Sequence, residues 1–307
     1  MNHNALDLIK WAEQELKRSD IKCARKDAEL LFMDSFSARC EDVYLTRNFK
    51  LSRHCLNLFK HYVKLRTSRY PLQYILKSVE FMSLSFALEE GIFIPRRETE
   101  LLVEKVIAYI KSIGKNEVNP VRDQYQKKAR NISNGVNIFE LGVGCGNIAI
   151  SLAKNVMDCK IIGCDISDKA LQVASRNARF HNVENNIKFV KSNFFEALPN
   201  DYINYFDIIL SNPPYVRKSE IGYLQPEISY EDTISLDGGE DGLYFHKRIL
   251  NEGTKYLKKD GIFAFEIGYD QREGIRCLLK DNCRFQEPNF FKDYSGYNRV
   301  VIIRLLN

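Results

Sequence analysis

Residues 206–215 read Phe-Asp-Ile-Ile-Leu-Ser-Asn-Pro-Pro-Tyr, an apolar run that ends at two prolines. The run from Phe206 to Leu210 has the length of a buried strand. Neither Pro213 nor Pro214 has an N–H to donate, so the ladder of a sheet cannot continue through them. We therefore predict a strand that stops abruptly and presents Asn212 to Tyr215 at its carboxyl end. In open parallel sheets, ligands bind at that end.

The four residues Asn212-Pro213-Pro214-Tyr215 suit a substrate with a planar amino group. Such a group is a weak nucleophile because its lone pair is delocalised into the neighbouring carbonyl or ring. The Asn212 side-chain oxygen and the Pro213 carbonyl can each accept one of its two N–H bonds. The Tyr215 ring can stack on the flat substrate. A strand followed by an ordinary proline-rich turn is the alternative interpretation.

A second motif lies at residues 138–147, where an apolar strand runs into a glycine-rich turn and then a helix. Its pattern is Glu-x-Gly-x-Gly-x-Gly, and it begins at Glu140. The residues of the turn are Gly142, Val143, Gly144, Cys145 and Gly146. Nineteen residues past Gly146, Asp165 ends the next apolar strand, where a carboxylate can accept ribose hydroxyl hydrogens. The order of these features predicts a site for an adenosine-containing ligand, either a dinucleotide or S-adenosylmethionine.

The spacing of the glycines differs from the Gly-x-Gly-x-x-Gly of dinucleotide loops, which favours S-adenosylmethionine. Asn193 and Phe194 follow a third predicted strand, where an adenine ring would reach. Asn193 can bond the adenine amino group and Phe194 can stack on the ring. A position in the apolar core is the alternative interpretation of Phe194.

From residue 137 onward, strand patterns alternate with helix patterns, which predicts a parallel sheet with right-handed crossovers. Strands are predicted at 137–141, 160–165, 186–190, 206–210 and 261–266. Helices are predicted at 147–156, 168–181, 241–258 and 270–281. Two further strands, Arg284–Phe291 and Arg299–Leu306, are predicted to be antiparallel because no helix separates them.

The chain before residue 137 divides into segments of different character. Residues 1–75 carry apolar stripes at helical spacing and predict a small helical domain. Residues 76–95 predict a β-hairpin connector that turns at Met82-Ser83, and residues 96–307 form the larger domain. Residues 114–136 are polar, with a Lys-Lys-Ala-Arg cluster, and predict a surface loop.

Composition sets further limits. The 307 residues are 45% apolar and 28% charged, with a net charge of +5, which is typical of a soluble globular protein. No apolar run approaches the ~18 residues of a membrane span, and no signal peptide is evident, so we expect a cytoplasmic location. The eight cysteines form no Cys-x-x-Cys pair, so we expect free thiols and no metal site.

Taken together, the two motifs resemble class I S-adenosylmethionine-dependent methyltransferases that act on a planar amino nitrogen. Further motifs narrow the resemblance to the PrmC/HemK family, and it runs from about Leu6 to the end of the chain except for the 114–136 loop. These motifs are Ile94-Pro95-Arg96-x-x-Thr99-Glu100, Leu236-Asp237-Gly238-Gly239-Glu240-Asp241-Gly242, Phe265-Glu266-Ile267-Gly268 and Asp293-Tyr294-Ser295-Gly296.

The resemblance implies a seven-stranded, Rossmann-like methyltransferase sheet behind an all-helical N-terminal substrate-recognition domain, residues 1–75, joined by a hairpin. It implies N5-methylation of the glutamine in the Gly-Gly-Gln motif of class I peptide chain release factors, with S-adenosyl-L-homocysteine as the second product. We expect a monomer that binds neither nucleic acid nor membrane. The implied cofactor contacts are Glu140, Gly142 to Gly146, Asp165, Asn193, Phe194 and Asn212. The implied substrate contacts are Asn212, Pro213, Pro214 and Tyr215.

Three residues depart from the usual family pattern. Arg97 stands where proline is usual, Asn193 where aspartate is usual, and Phe194 replaces a tryptophan.

Two alternative functions stay open on sequence alone. A DNA or RNA amino-methyltransferase shares the Asn-Pro-Pro-Tyr motif because a flipped base offers the same amino group, and a non-enzymatic adenosine-binding protein is the other. No general base is required, and Glu266 is the alternative residue for such a role.

Overall fold

The computed structural model describes residues 4–45, 52–114, 135–280 and 282–306, and the chain divides into two compact units. Unit 1 comprises Met1–Val79, Leu88–Gly91 and Leu224–Glu231. Unit 2 comprises Glu80–Ala87, Ile92–Tyr223 and Asp232–Asn307. Residues 115–134, most of the polar loop predicted at 114–136, lie outside the described residues.

Unit 1 is helical, as its apolar stripes predict. Its helices are α1 (Ala5–Arg18), α2 (Ala24–Phe36), α3 (Cys40–Leu45), α4 (Arg53–Thr67) and α5 (Leu72–Leu76). Asn4 caps α1 by accepting the backbone N–H of Asp7 at 2.8 Å, which satisfies one of the free donors at a helix start. The core includes Phe32 and Phe59, whose rings meet edge to face at 5.5 Å.

A buried ion-pair network also holds unit 1 together. The Arg66 side chain is 10% exposed, and its Nε donates to Asp27 Oδ2 at 2.8 Å. Arg66 Nη1 donates to Glu227 at 3.0 Å, and Arg69 donates to the other oxygen of Glu227 at 2.8 Å. Glu227 lies in the 3-10 turn Pro226–Tyr230, so this network fixes the segment Leu224–Glu231 within unit 1.

The predicted hairpin is confirmed. Strands β1 (Ser78–Phe81) and β2 (Leu84–Ala87) pair with each other. Both turn residues have a left-handed backbone, with φ of 51° at Met82 and 58° at Ser83. This is the geometry of a two-residue turn whose twist matches that of the flanking strands. Glu100 strengthens the turn by accepting the Met82 N–H at 2.7 Å.

Unit 2 contains the predicted sheet, and among the described residues it has seven strands in the order β5-β4-β3-β6-β7-β9-β8. The strands are β3 (Val136–Leu141), β4 (Cys159–Asp165), β5 (Ile187–Lys191), β6 (Phe206–Ser211), β7 (Leu257–Glu266), β8 (Asn289–Lys292) and β9 (Asn298–Arg304). The helices are α6 (Glu100–Gly114), α7 (Asn147–Asn155), α8 (Asp168–Phe180), α9 (Tyr244–Gly253) and α10 (Arg272–Leu279). Strands β3 to β7 are parallel, and β8 and β9 are antiparallel to their neighbours as predicted. The class I methyltransferase fold is thereby confirmed.

Strand order reverses between β3 and β6, because the chain moves outward through β4 and β5 before it returns to the other side of β3. Such a reversal opens a crevice at the carboxyl ends of the two central strands. All six residues of β6 are buried, as expected for a strand covered on both faces. The fold therefore places the ends of β3 and β6 where a ligand would bind.

Three predicted boundaries are wrong by four residues or more. The helix predicted at 241–258 ends at Gly253, and β7 begins at Leu257 rather than at 261. Leu257 pairs with Phe206 of β6 and is fully buried, so sheet pairing overrides the local helical pattern. The strand predicted at Arg284–Phe291 begins only at Asn289, because Pro288 has no N–H to donate to a ladder.

None of the helices in the described ranges combines the length and the apolar character that a membrane crossing requires.

Candidate functional site

The glycine-rich turn and the Asn-Pro-Pro-Tyr motif begin side by side. Leu141, the last residue of β3, pairs with Ser211, the last residue of β6. The next residues along the two strands are Gly142 and Asn212. Adjacent strands lie about 4.8 Å apart, so the sheet brings together two motifs that are some seventy residues apart in sequence.

The turn adopts a backbone that requires glycine. Gly142, Gly144 and Gly146 have φ of 72°, 53° and 84°, the left-handed region that other residues rarely adopt. A Cβ on Gly142 or Gly144 would meet no atom within 4 Å, whereas one on Gly146 would lie 3.1 Å from Ala174 Cβ. Gly146 therefore serves packing of α7 against α8, while Gly142 and Gly144 border open space that a ligand can enter.

Asp165 ends β4 beside this turn, as predicted. Its Oδ2 accepts the Gly144 N–H at 3.0 Å, and its Oδ1 accepts the Ser167 N–H at 2.9 Å. Burial raises the pKa of the Asp165 carboxyl, and these backbone N–H groups oppose that shift. Each carboxylate oxygen can accept more than one hydrogen bond, so both retain capacity for a ligand hydroxyl.

Glu140 lies within β3, two residues before the turn, and is 1% exposed. Neither of its carboxyl oxygens has a well-aligned hydrogen-bond partner among the described residues. Burial raises the pKa of Glu140 well above its ordinary value. The backbone N–H of Ala149 opposes this shift, and the carboxyl oxygens keep acceptor capacity for a ligand. Glu140 is therefore suited to a cationic or N–H-bearing group.

Asn193 and Phe194 follow β5, the strand next to β4. The Asn193 amide is exposed and donates to Glu196 at 2.6 Å. The Phe194 ring is 8% exposed and lies against α9, where it stacks on Phe245 with centroids 5.5 Å apart. The Arg248 guanidinium lies 3.9 Å from its centroid. Phe194 thus packs in the core, and the prediction that it also stacks on adenine stays a prediction.

Asn212 is half-buried, and its side-chain Nδ2 donates to Thr99 Oγ1 at 3.1 Å. Thr99 ends the 3-10 turn Arg97–Thr99 that precedes α6, and it is 1% exposed. Because the amide nitrogen is engaged there, the Asn212 oxygen is left to accept from a ligand. Arg97, one of the departures from the family pattern, is exposed at the first position of that turn.

Tyr215 is fixed through its hydroxyl, which donates to Glu266 Oε1 at 2.9 Å. Glu266 ends β7 and is fully buried. Burial raises the pKa of Glu266 to about 7, although the Thr99 and Tyr215 hydroxyls and the charge of Arg299 favour the ionised form. Burial also raises the pKa of Tyr215 well above its ordinary value, so the phenol stays protonated and remains a donor.

Two amide side chains that the sequence did not single out hold the site in place. Gln271 Nε2 donates to the backbone oxygens of Tyr215 and Gly242 at 2.9 and 3.0 Å, and its Oε1 accepts the Gly268 N–H at 2.8 Å. Asn177 Nδ2 donates to Cys145 O at 2.9 Å. The only available sequence signal was the nearness of Gln271 to Glu266-Ile267-Gly268 in the chain.

The residues predicted from the sequence therefore fall at the carboxyl ends of four neighbouring strands: Asn193 and Phe194 after β5, Asp165 at β4, Gly142 to Gly146 after β3, and Asn212 to Tyr215 after β6. In the part of the chain that the structure describes, no cluster of three or more His, Cys, Asp or Glu side chains could hold a metal ion.

Comparison with known families and structures agrees with this architecture. Residues 7–76 match a family model described as the PrmC N-terminal domain, and residues 132–293 match one described as a methyltransferase domain. The catalytic domain of human METTL16 shares the fold, with a TM-score of 0.52 at 15% sequence identity. That similarity covers 73% of this chain and 75% of the other.

Two curated relatives are similar along almost the whole chain. The release factor glutamine methyltransferase of Fusobacterium nucleatum is 33% identical over 301 residues, which are 97% of this chain and 78% of that protein. The release factor glutamine methyltransferase of Clostridium acetobutylicum is 32% identical, over 96% of both chains. With this degree of identity over this length, and with both domain models matched, the chain belongs to the release factor glutamine methyltransferase family.

Proposed function

We propose that this protein transfers the methyl group of S-adenosyl-L-methionine to the side-chain nitrogen of the glutamine in the Gly-Gly-Gln motif of class I peptide chain release factors. The observation that carries the proposal is the pairing of Leu141 with Ser211. It sets a glycine turn suited to the cofactor next to an Asn-Pro-Pro-Tyr motif suited to a carboxamide. Family membership supplies the substrate.

The residues around the glycine turn fit the cofactor. Gly142 and Gly144 border the open space that an adenosine-containing molecule needs. Val143, between these two glycines, and Cys145, which follows Gly144, are both buried. Asp165 has free acceptor capacity for ribose hydroxyls. Glu140 offers a buried carboxyl with spare acceptor capacity to the amino group of the methionine portion. When bound, the cofactor supplies an activated sulfonium methyl group.

Asn193 and Phe194 complete the proposed cofactor site at the end of β5. The exposed Asn193 amide can turn either its oxygen or its nitrogen toward the adenine, because an amide both accepts and donates hydrogen bonds. Because Asn193 replaces the usual aspartate, we expect a weaker adenine contact than a carboxylate would give. Phe194 would border the ring from the side of α9.

Asn212 and Pro213 hold the substrate. The Asn212 side-chain oxygen and the Pro213 backbone oxygen each accept one hydrogen of the glutamine amide, which orients its nitrogen toward the methyl group. These bonds strengthen as the nitrogen gains positive charge, so they favour the transition state over the ground state. Pro214 stiffens the corner, and Tyr215 borders the flat carboxamide. The amide proton leaves to solvent after transfer.

The helical unit 1 is the proposed recognition surface for the release factor. We propose a cytoplasmic monomer, because release factors act on ribosomes and the site described here needs no second copy of the chain. We also propose that binding involves protein contacts without a nucleic-acid requirement, since the net charge of +5 is modest for a chain of 307 residues.

The test is transfer of a labelled methyl group from S-adenosylmethionine to a purified class I release factor. A Gly-Gly-Gln→Gly-Gly-Ala release factor is the matched control and should accept no label. DNA and structured RNA are tested in parallel. Labelling of the control release factor at the same level, or of nucleic acid in preference to protein, would overturn the proposed function.

A further inference from the structure

The side-chain amide of Asn212 can lie in two orientations, and only one suits the proposed reaction. With its oxygen toward the substrate, Asn212 accepts an N–H of the glutamine amide. With its nitrogen toward the substrate, the NH2 group of Asn212 would face the NH2 group of the glutamine, and neither could accept. In the structure Nδ2 donates to Thr99 Oγ1 at 3.1 Å. The orientation therefore depends on whether Thr99 accepts from Asn212 or donates to it.

Thr99 has one hydroxyl hydrogen and two lone pairs. If a stronger acceptor takes that hydrogen, Thr99 can only accept from Asn212. If no such acceptor exists, the hydroxyl can turn and donate to Asn212, which would reverse the amide. Thr99 is 1% exposed, so the hydroxyl hydrogen needs an acceptor within the protein.

The Glu266 carboxylate, which interacts with the Thr99 hydroxyl, is the candidate for that acceptor. The side chain of Glu266 is fully buried, and Oε1 already accepts from the Tyr215 hydroxyl at 2.9 Å. Oε2 is buried and has no well-aligned donor among the described residues. The Thr99 hydroxyl interacts with this carboxylate closely enough to favour its ionised form. An ionised carboxylate can accept hydrogen bonds but cannot donate them.

We propose that Glu266 is a positioning residue that sets the direction of a hydrogen-bond chain from Asn212 to Thr99 to Glu266 and so points the Asn212 oxygen at the substrate. This inference rests on the proposed function for its substrate. Glu266 touches neither substrate nor cofactor in this arrangement; it acts through Thr99 and also holds the Tyr215 hydroxyl.

Ionisation of Glu266 gives the chain its direction. A protonated carboxyl can donate to Thr99, which frees the threonine hydrogen for Asn212 and allows the amide to reverse. Burial raises the pKa of Glu266 to about 7, so the chain becomes fixed as the pH rises through neutrality. The ionisable groups that act on Glu266 or bond to it are Tyr215, Arg299, Glu98 and His246.

His246 does not titrate in the same range. Its Nε2 lies 3.0 Å from the backbone oxygen of Glu266, and burial lowers the pKa of His246 to about 4. It therefore stays neutral while Glu266 changes charge. Burial also keeps Tyr215 protonated. A transition near neutral pH at this site is therefore assigned to Glu266.

The first experiment uses the protein alone. The side-chain NH2 signals of Asn212 are assigned in a nitrogen-edited NMR spectrum by their loss in Asn212→Ala, and are followed from about pH 5 to about pH 9. In the wild-type protein they should shift with a midpoint near 7. Glu266→Gln and Thr99→Val should remove the transition, and Thr99→Ser should retain it. Signals that do not respond to pH, or a transition that persists in Glu266→Gln, would overturn the proposal.

The second experiment measures kcat and KM for methyl transfer to the release factor over the same pH range. Glu266→Gln and Thr99→Val should lower kcat by about 10-fold to 100-fold, the loss expected when aligned groups are misplaced, with KM for the cofactor unchanged. Thr99→Ser, which keeps the hydroxyl, should retain the wild-type pH profile. A wild-type profile in Glu266→Gln would contradict the positioning role.

The two experiments separate the two hypotheses. Absence of methyl transfer by the wild-type protein would contradict the proposed function. The NMR titration would still decide whether the hydrogen-bond chain from Asn212 to Glu266 exists. If Glu266→Gln does not fold, the comparison of Thr99→Val with Thr99→Ser tests the same chain, because those variants keep the carboxylate.

Discussion

The Ser211 hydroxyl donates to the backbone oxygen of Leu141 at 2.8 Å, at the point where strands β6 and β3 end next to each other. Beyond this bond the two chains separate, one into the glycine turn and the other into Asn212 and the prolines. The backbones that lead into the two proposed sites therefore start about one strand spacing apart, which is roughly 4.8 Å. This pairing is why the cofactor site and the substrate site are proposed as neighbours.

Replacing Asn212 by alanine should lower kcat by about 10²-fold to 10³-fold, the loss seen when one preorganised hydrogen-bonding group is removed from a reacting centre. Steady-state kinetics and calorimetric binding of S-adenosylmethionine would measure the two effects separately. We expect cofactor affinity to change less than turnover, because most proposed cofactor contacts lie in other strands. Undiminished turnover in this variant would exclude the role given to Asn212.

Gly144→Ala should weaken cofactor binding more than it destabilises the fold. Alanine at φ 53° costs about 1–2 kcal/mol in backbone strain, and its methyl group enters the open space beside the turn. Gly91→Ala is the matched control, because Gly91 has φ of 82° and equally open surroundings but lies in unit 1. Equal loss of cofactor affinity in both variants would argue against the assigned cofactor site.

The contribution of Glu266 to the free energy of unfolding should fall as the pH rises from about 4.5 to about 7. The folded pKa of about 7 lies above the ordinary value of 4.5, so the folded chain binds more protons than the unfolded chain in this window. The stabilisation is complete below the lower pKa and is lost as the pH passes the higher one. Urea unfolding of wild type and Glu266→Gln at both ends of the window would measure it, and identical pH dependence would contradict the raised pKa.

Arg66→Ala should destabilise unit 1 by about 3–5 kcal/mol, because Asp27 is left buried without its partner. The side chains of Arg66 and Asp27 are only 10% and 8% exposed. The control is Lys17→Ala, which removes the ion pair of a solvent-exposed lysine with Glu13 and should cost much less, because solvent screens that pair. Denaturant unfolding measures both, and similar losses in the two variants would show that the buried network is weak.

Some boundaries followed directly from residue chemistry. Pro213 and Pro214 end β6 because they lack donors, and the glycines at 142, 144 and 146 form the predicted turn because they tolerate positive φ. The end of α9 at Gly253 could not be predicted from residue chemistry. The residues after Gly253 continue an ordinary helical pattern, but the pairing of Leu257 with Phe206 makes them lead into β7 instead.

The sequence by itself determined the alternation of strands and helices, the two motifs and their place at strand ends, because proline, glycine and apolar periodicity act over a few residues. Only the tertiary structure decided that Asn212 meets Thr99, that Tyr215 meets Glu266 and that Gln271 holds the Tyr215 backbone. These partners are 113, 51 and 56 residues apart in the chain. No local pattern encodes such contacts, because the pairing of distant strands in the folded sheet creates them.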